Sequence, residues 1–274
     1  MKAFKILIRM CLILCLLSLN GFLQSGCSRT IKEPLTFDNL EGKRVGVMCG
    51  YSSDYILSTG AYNLKIYRYS FYADMQLALR FNRLDAAAME NDEAYIFCRI
   101  EPRFKIGLVV ASRIEFAYPF NAEKLEILQQ FNSFIKEFRK TPEYEDIIQR
   151  VEASAVAPYL PKKVVNQVNT DRVLKVAAFD GWEPVSYINT STGEWEGSDV
   201  ELVTHFANSL GARVKIIDMS YNQMLIELGA GMVDLNLCPS TLMYKKDMEM
   251  SHNITISDGV FLKDIVLIVN QEGT

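Results

Sequence analysis

The residues that most readily carry catalysis or metal ligation are few in this chain, and they are not arranged for either. Its 274 residues include two histidines, His205 and His252, and six cysteines, Cys11, Cys15, Cys27, Cys49, Cys98 and Cys238. His205 falls inside a helical pattern over 199–210, which makes it a surface or boundary residue, and His252 sits in the loop-like SHNIT. Neither has a cysteine or carboxylate partner at ligand spacing. The cysteines form no CxxC and no zinc pattern. GxSxG, HExxH, GxxxxGK[ST] and GxGxxG are absent. The sequence supports no enzyme, no metal and no cofactor.

Two α/β blocks would have to position any site. In the first, KRVGVMC (43–49) reads as a buried strand closed by Gly50, followed by a helix near SSDYIL and a strand LKIYRYS. ADMQLALRFN has apolar residues at helical spacing, and DAAAM is a short apolar run after it. Strand, helix, strand, helix, strand is the pattern of a parallel sheet with covering helices. FKIGLVVAS and EFAYPF add two strand candidates. Leu125, Leu128, Phe131, Ile135 and Phe138 recur at three- and four-residue steps, which predicts a long amphipathic helix. TPEYEDIIQRVE predicts another, capped by Thr141 with Pro142 in its first turn. Residues 153–172 lack periodicity and read as a linker. The second block starts with the strand VLKVAAF and a hairpin turning near Asn189, Ser191 and Gly193. A helix from Asp199 to about Leu210, ended by Gly211, follows. Then come ARVKIID as a strand, YNQMLIELGAG as a helix, and MVDLNL and FLKDIVLIV as strands.

The first 27 residues stand apart. Lys2, Lys5 and Arg9 precede the short apolar core Met10 to Leu19, too short to span a bilayer, so the segment reads as a secretion signal. Ser25-Gly26-Cys27 resembles a bacterial lipobox, which implies lipidation at Cys27 and a periplasmic, membrane-anchored lipoprotein of a Gram-negative-type envelope; an ordinary cleaved signal is the alternative. Loss of the three basic residues leaves the chain more acidic than its net charge of −4. Nucleic-acid binding needs an excess of Lys and Arg, so a nucleic-acid partner is not expected. Of the cysteines that remain, Cys49 and Cys98 could pair in an oxidising compartment. Alternatively Cys49, Cys98 and Cys238 are small buried thiols.

VLKVAAFDGWEPVSYI, GSDVELVTHFANSLG, SYNQMLIELGAGMVDL and SDGVFLKDIVLIV occur in an order and spacing that resemble lobe one of the bacterial extracellular solute-binding proteins of family 3. The family's Gly, aromatic or aliphatic, Asp, aliphatic, Asp/Glu, Leu signature reads here Gly197-Ser198-Asp199-Val200-Glu201-Leu202, departing at Ser198. NLEGKRVGVMCGYSSDYIL, NRLDAAAMEND and LEILQQFNSFIKEFRKTPEYEDIIQRV resemble lobe two and the closing helices. The resemblance implies a two-lobed periplasmic-binding-protein-like (type II) α/β architecture, each lobe a sheet flanked by helices. The division expected is 1–27 signal and lipidated cysteine, 37–152 lobe two, 153–172 linker and 173–274 lobe one. The lobes then appear in inverted order, as a circular permutation or part of a tandem receptor would leave them.

The function implied is binding of a small polar solute, an amino acid in the first instance, for uptake through an ABC permease. A sensing module of a signalling or lytic-transglycosylase-like cell-wall protein is the alternative. A free amino acid needs donors and a cation for its carboxylate, an acid for its ammonium, and apolar walls. By resemblance Trp182 and Tyr221 are walls, Thr241 and Lys246 receive the carboxylate, and Glu90 receives the ammonium. Tyr51 and Ser52 lie in a ligand-touching turn. Lys246 stands where the family usually has arginine and lacks its bidentate fork; Pro239 stands where glycine is usual.

Overall fold

The apolar run Arg44–Met48 (β1) and the alanine-rich Ala86–Glu90 (β3), whose residues are nearly all buried, need cover on both faces, and the sheet they form has it. Val45, Val47, Ala86, Ala88, Ile265 and Leu267 face one core. Met48, Ala87, Met89, Val266 and Ile268 face another, with Met75, Leu79 and Leu84 packed on them. The alternation is the two-residue period of a strand made visible.

The protein is described from a computed structural model over residues 33–166, 169–242 and 253–271. The signal segment, Cys27, Lys245 and Lys246 lie outside the described residues. Leu35–Gln271 form one unit. Among the described residues no helix is long and apolar enough to cross a membrane.

A six-stranded sheet runs β11–β4–β13–β3–β1–β2. It joins β1, Lys65–Tyr69 (β2) and β3 in parallel, and adds antiparallel Phe104–Ala117 (β4), Ser240–Thr241 (β11) and Phe261–Asn270 (β13). A five-stranded sheet runs β12–β5–β10–β6–β9. It comprises Pro119–Asn121 (β5), Val173–Ala178 (β6), Arg213–Asp218 (β9), Leu235–Asn236 (β10) and Ile254–Ile256 (β12), with β6 parallel to β9 and β10. Tyr187–Ile188 (β7) and Trp195–Glu196 (β8) make the predicted hairpin. The helices are Ser52–Thr59 (α1), Tyr72–Arg80 (α2), Asn91–Ile100 (α3), Leu125–Phe138 (α4), Pro142–Ala153 (α5), Ser198–Ser209 (α6) and Tyr221–Gly229 (α7). Thr141 caps α5 through the Tyr144 amide, with Pro142 in its first turn.

Three findings differ from the sequence reading. FKIGLVVAS and EFAYPF are mostly one strand: β4 runs through a bulge at Ser112 and Arg113, where Asp264 accepts from the Ser112 hydroxyl and the Arg113 amide. The sheets are not built from 37–152 and 173–274 as contiguous blocks, because β5 lies in the second sheet while β11 and β13 lie in the first. The chain passes between sheets at 117–119, 236–240 and 256–261. Among the described residues Cys49, Cys98 and Cys238 are unpaired, as in the second of the two readings, but Cys49 is exposed and the other two are half-buried rather than buried, Cys49 because it follows the last residue of β1.

Candidate functional site

The loops that carry candidate residues all follow the carboxyl ends of strands, where open α/β sheets bind ligands. Gly50-Tyr51-Ser52 follows β1, Glu90 ends β3, Trp182 follows β6, Tyr221 follows β9, and Cys238 to Thr241 follow β10. Gly50 has φ of +79°, a left-handed turn that lets the chain reverse from strand into α1 without a Cβ penalty. Gly197, before α6, has φ of +134°, and a Cβ there would stand 2.2 Å from the Val185 carbonyl oxygen. Only glycine fits the family-like signature at that point.

Side chains from the two sheets meet across these loops. Tyr51 packs on Tyr221 with centroids 4.6 Å apart and rings tilted by 33°. It also lies 6.4 Å from Trp182 and 5.8 Å, edge on, from Tyr72. The Tyr221 hydroxyl donates to the Gly50 carbonyl at 3.4 Å, at the long end for a hydrogen bond. The Trp182 indole N–H donates to Glu93 Oε1. The Thr241 amide donates to Ser52 Oγ at 3.3 Å, with both residues buried. Trp182, Tyr221, Tyr51, Ser52, Thr241 and Glu90 are thus gathered at one junction between sheets.

Sequence reasoning missed four residues there: Tyr72, Asp92, Glu93 and Lys263. The acids arrive on α3, whose first turn follows Glu90 directly. Glu93 accepts from the Tyr72 hydroxyl at 2.5 Å as well as from Trp182. The Lys263 ammonium stands 2.6 Å from Asp92 Oδ2, both residues buried. Glu90 is 4% exposed, and its Oε2 has no hydrogen-bond partner among the described residues. The adjacent acids NDE were a signal; Lys263 and Tyr72 had none, since only the fold brings them in.

Burial sets the electrostatics. It pushes the Glu93 carboxyl well above the usual carboxylate range, with Glu90 and Asp92 adding repulsion. Glu90 is raised by the same burial, partly offset by Lys263. Burial also raises Asp199 to about 6, although Tyr118 donates to it at 2.6 Å and Ser198 at 2.9 Å. Burial works against the charge on Lys263, but Asp92, Asp199 and Glu90 more than offset it. Tyr51 and Cys238 are both raised, chiefly by burial, and so stay neutral. Among the described residues no cluster of His, Cys, Asp and Glu is arranged to hold a metal ion.

Residues 174–265 match the model of the bacterial extracellular solute-binding proteins, family 3. The resemblance read from the sequence stands over that segment, which is about a third of the chain. No curated protein sequence matches the chain. Among solved structures, the ligand-binding component of an ABC-type import system from Staphylococcus aureus, with zinc bound, is 11% identical at a TM-score of 0.44. It pairs 85% of this chain with 67% of that one. A probable amino-acid ABC transporter extracellular-binding protein from Bacillus subtilis is 10% identical at 0.41, covering 85% of each chain. The periplasmic aliphatic sulphonate binding protein of Escherichia coli is 11% identical at 0.43, covering 85% of this chain and 66% of that one. Likeness at that level carries no ligand over to this chain.

Proposed function

We propose that this chain, of family 3 type over residues 174–265, is a receptor that closes two lobes on a small polar solute and delivers it to an ABC permease. The observation that carries the reading is the junction itself. Trp182 and Tyr221 from one sheet meet Tyr51 and Glu93 from the other at the carboxyl ends of parallel strands. Contacts between lobes that form only on closure are what a hinge receptor needs, because a ligand shifts an equilibrium only by binding one state better.

The solute class proposed is an amino acid. Glu90 takes the ammonium, Trp182 and Tyr221 flank the side chain, and Thr241 with Lys246 takes the carboxylate. The Tyr51-Ser52 turn closes the first-sheet side. Cys27 is the proposed lipid anchor, holding the receptor at the membrane in the periplasm. The order of the lobes in the chain is proposed to reflect a circular permutation, with β13 supplying the strand that a conventional order would place at the crossing.

The test is the melting temperature of the purified protein against the twenty amino acids. A solute at ~100 times its dissociation constant adds about 2.7 kcal/mol of stability. A shift by one class of amino acid, lost in Trp182→Ala, is the expected result. A cooperative melt that no solute moves would overturn the receptor reading.

A further inference from the structure

We infer that the solute is an organic cation, an amine or ammonium compound for which a carboxylate is not required, seated against Glu90 and Glu93 among Tyr51, Tyr72, Trp182 and Tyr221. This rests on the receptor reading and names its ligand class.

Of the acids here, Asp92 has its own cation in Lys263. Glu93 has two neutral donors, the Tyr72 hydroxyl and the Trp182 indole. Glu90 lies against Glu93 with one buried oxygen unpartnered. Burying a carboxylate oxygen without a partner is costly, so the position is explained if a donor arrives from outside. The rings supply the other half of the recognition. Tyr51 touches Tyr72, Trp182 and Tyr221, and aromatic faces attract an ammonium, most strongly where water is excluded. The rings sit on both sheets, so opening the lobes separates Trp182 and Tyr221 from Tyr51 and the two glutamates. A cation entering then replaces the contacts that the rings make with each other.

The groups facing Glu90 and Glu93 are Tyr51 from its turn, Tyr72 of α2, Asp92 of their own helix, Lys263 of β13 and Cys238 from the second-sheet loop. Among the described residues only Lys263 of these carries positive charge. Burial raises both carboxyls, which disfavours their charged forms without solute, and a bound ammonium favours those charged forms and so the release of protons.

Calorimetric titration of the whole protein with arginine, agmatine, choline, leucine and glutamate tests this. Agmatine is expected to bind at least as tightly as arginine, and both at least tenfold tighter than leucine or glutamate. Titrations at pH 6 in two buffers of different ionisation enthalpy are expected to show proton release. Glu90→Gln and Glu93→Gln, each checked for a cooperative melt, are expected to weaken agmatine at least tenfold. Binding of arginine without agmatine, or of leucine or glutamate as tightly as arginine, would overturn the cation inference and leave the receptor standing. No binding by any of the five, or by any amino acid, would overturn both.

Discussion

Glu201 and Glu93 are both buried glutamates in the first turn of a helix, and they are treated in opposite ways. Glu201 on α6 receives both Arg150 guanidinium nitrogens, at 2.8 and 2.5 Å, the Tyr159 hydroxyl at 3.0 Å and the Lys162 amide at 2.7 Å. Its lone pairs are spent on the chain's own donors, and Arg150 is itself held by Asp146. Glu93 on α3 has, among the described residues, no cation of its own, only two aromatic donors and a second acid beside it. A helix N-terminus favours either carboxylate by a fraction of a kcal/mol, so that cannot be the difference. The difference is in what surrounds them. One acid is finished as structure, fastening α5 and the segment after it to α6. The other is left incomplete, which a binding protein needs and a core does not.

The largest effect expected from breaking the comparison is on the finished side. Arg150→Ala leaves Glu201 buried without its cation, and removal of one partner of such a pair costs about 3 to 5 kcal/mol. Urea denaturation measures it. A loss below about 1 kcal/mol would mean the network is not the fastening its geometry describes.

Asp199 sharpens the comparison by lying between the two cases, with two hydroxyl donors and no cation at hydrogen-bond distance. Its pKa is raised by burial to about 6, above the unfolded value. The folded state therefore binds this proton more tightly than the unfolded one. The contribution is fully present below the unfolded pKa and is lost as pH rises through about 6. Asp199→Asn keeps the acceptor for Tyr118 and removes the charge. The variant is expected to match the parent near pH 4 and to exceed it at pH 8 by up to about 3 kcal/mol. Denaturation at both pH values checks it, and an equal difference at both would show that Asp199 is not the titrating group.

Trp182→Phe tests the junction with a smaller change. It keeps a ring beside Tyr51 and deletes the N–H that reaches Glu93, an exchange expected to cost about 1 kcal/mol. The loss should be accompanied by easier opening of the lobes, read as a larger radius of gyration in small-angle scattering. An unchanged radius and stability would remove Trp182 from the contacts that hold the lobes together.

The fold was legible because its signals are local. β1, β3 and β6 are short apolar runs between turn residues, and α4 carries its stripe openly. The bulge in β4 misled because Ser112-Arg113 looks like a break, and what carries the strand through is Asp264, some 150 positions later. α3 was missed because its first turn is Asn-Asp-Glu directly after a strand, a polar composition that favours a turn as readily as a helix start. At the site, resemblance pointed to Glu90 because a family motif reaches it. Glu93 lies three residues on, and its meaning depends on Tyr72 and Trp182, which only the tertiary structure brings to it.

The smallest effect on stability is expected where the effect on binding is largest. Glu93→Gln removes a carboxyl whose charged form burial disfavours, and the amide oxygen can still accept from Tyr72 or Trp182. The amide cannot accept through both of its terminal atoms, so one donor goes short. Against that, the repulsion between Glu93 and Glu90 disappears. The two terms oppose, and stability is expected to change by less than about 1 kcal/mol, within the ordinary range for a point substitution. Glu201→Gln alters the same residue type, also in the first turn of its helix, and should cost more, because it strips the charge from a bidentate arginine pair. If the two variants lost equal stability, Glu93 would be a structural acid like Glu201, and the contrast between a finished carboxylate and an unfinished one would fail.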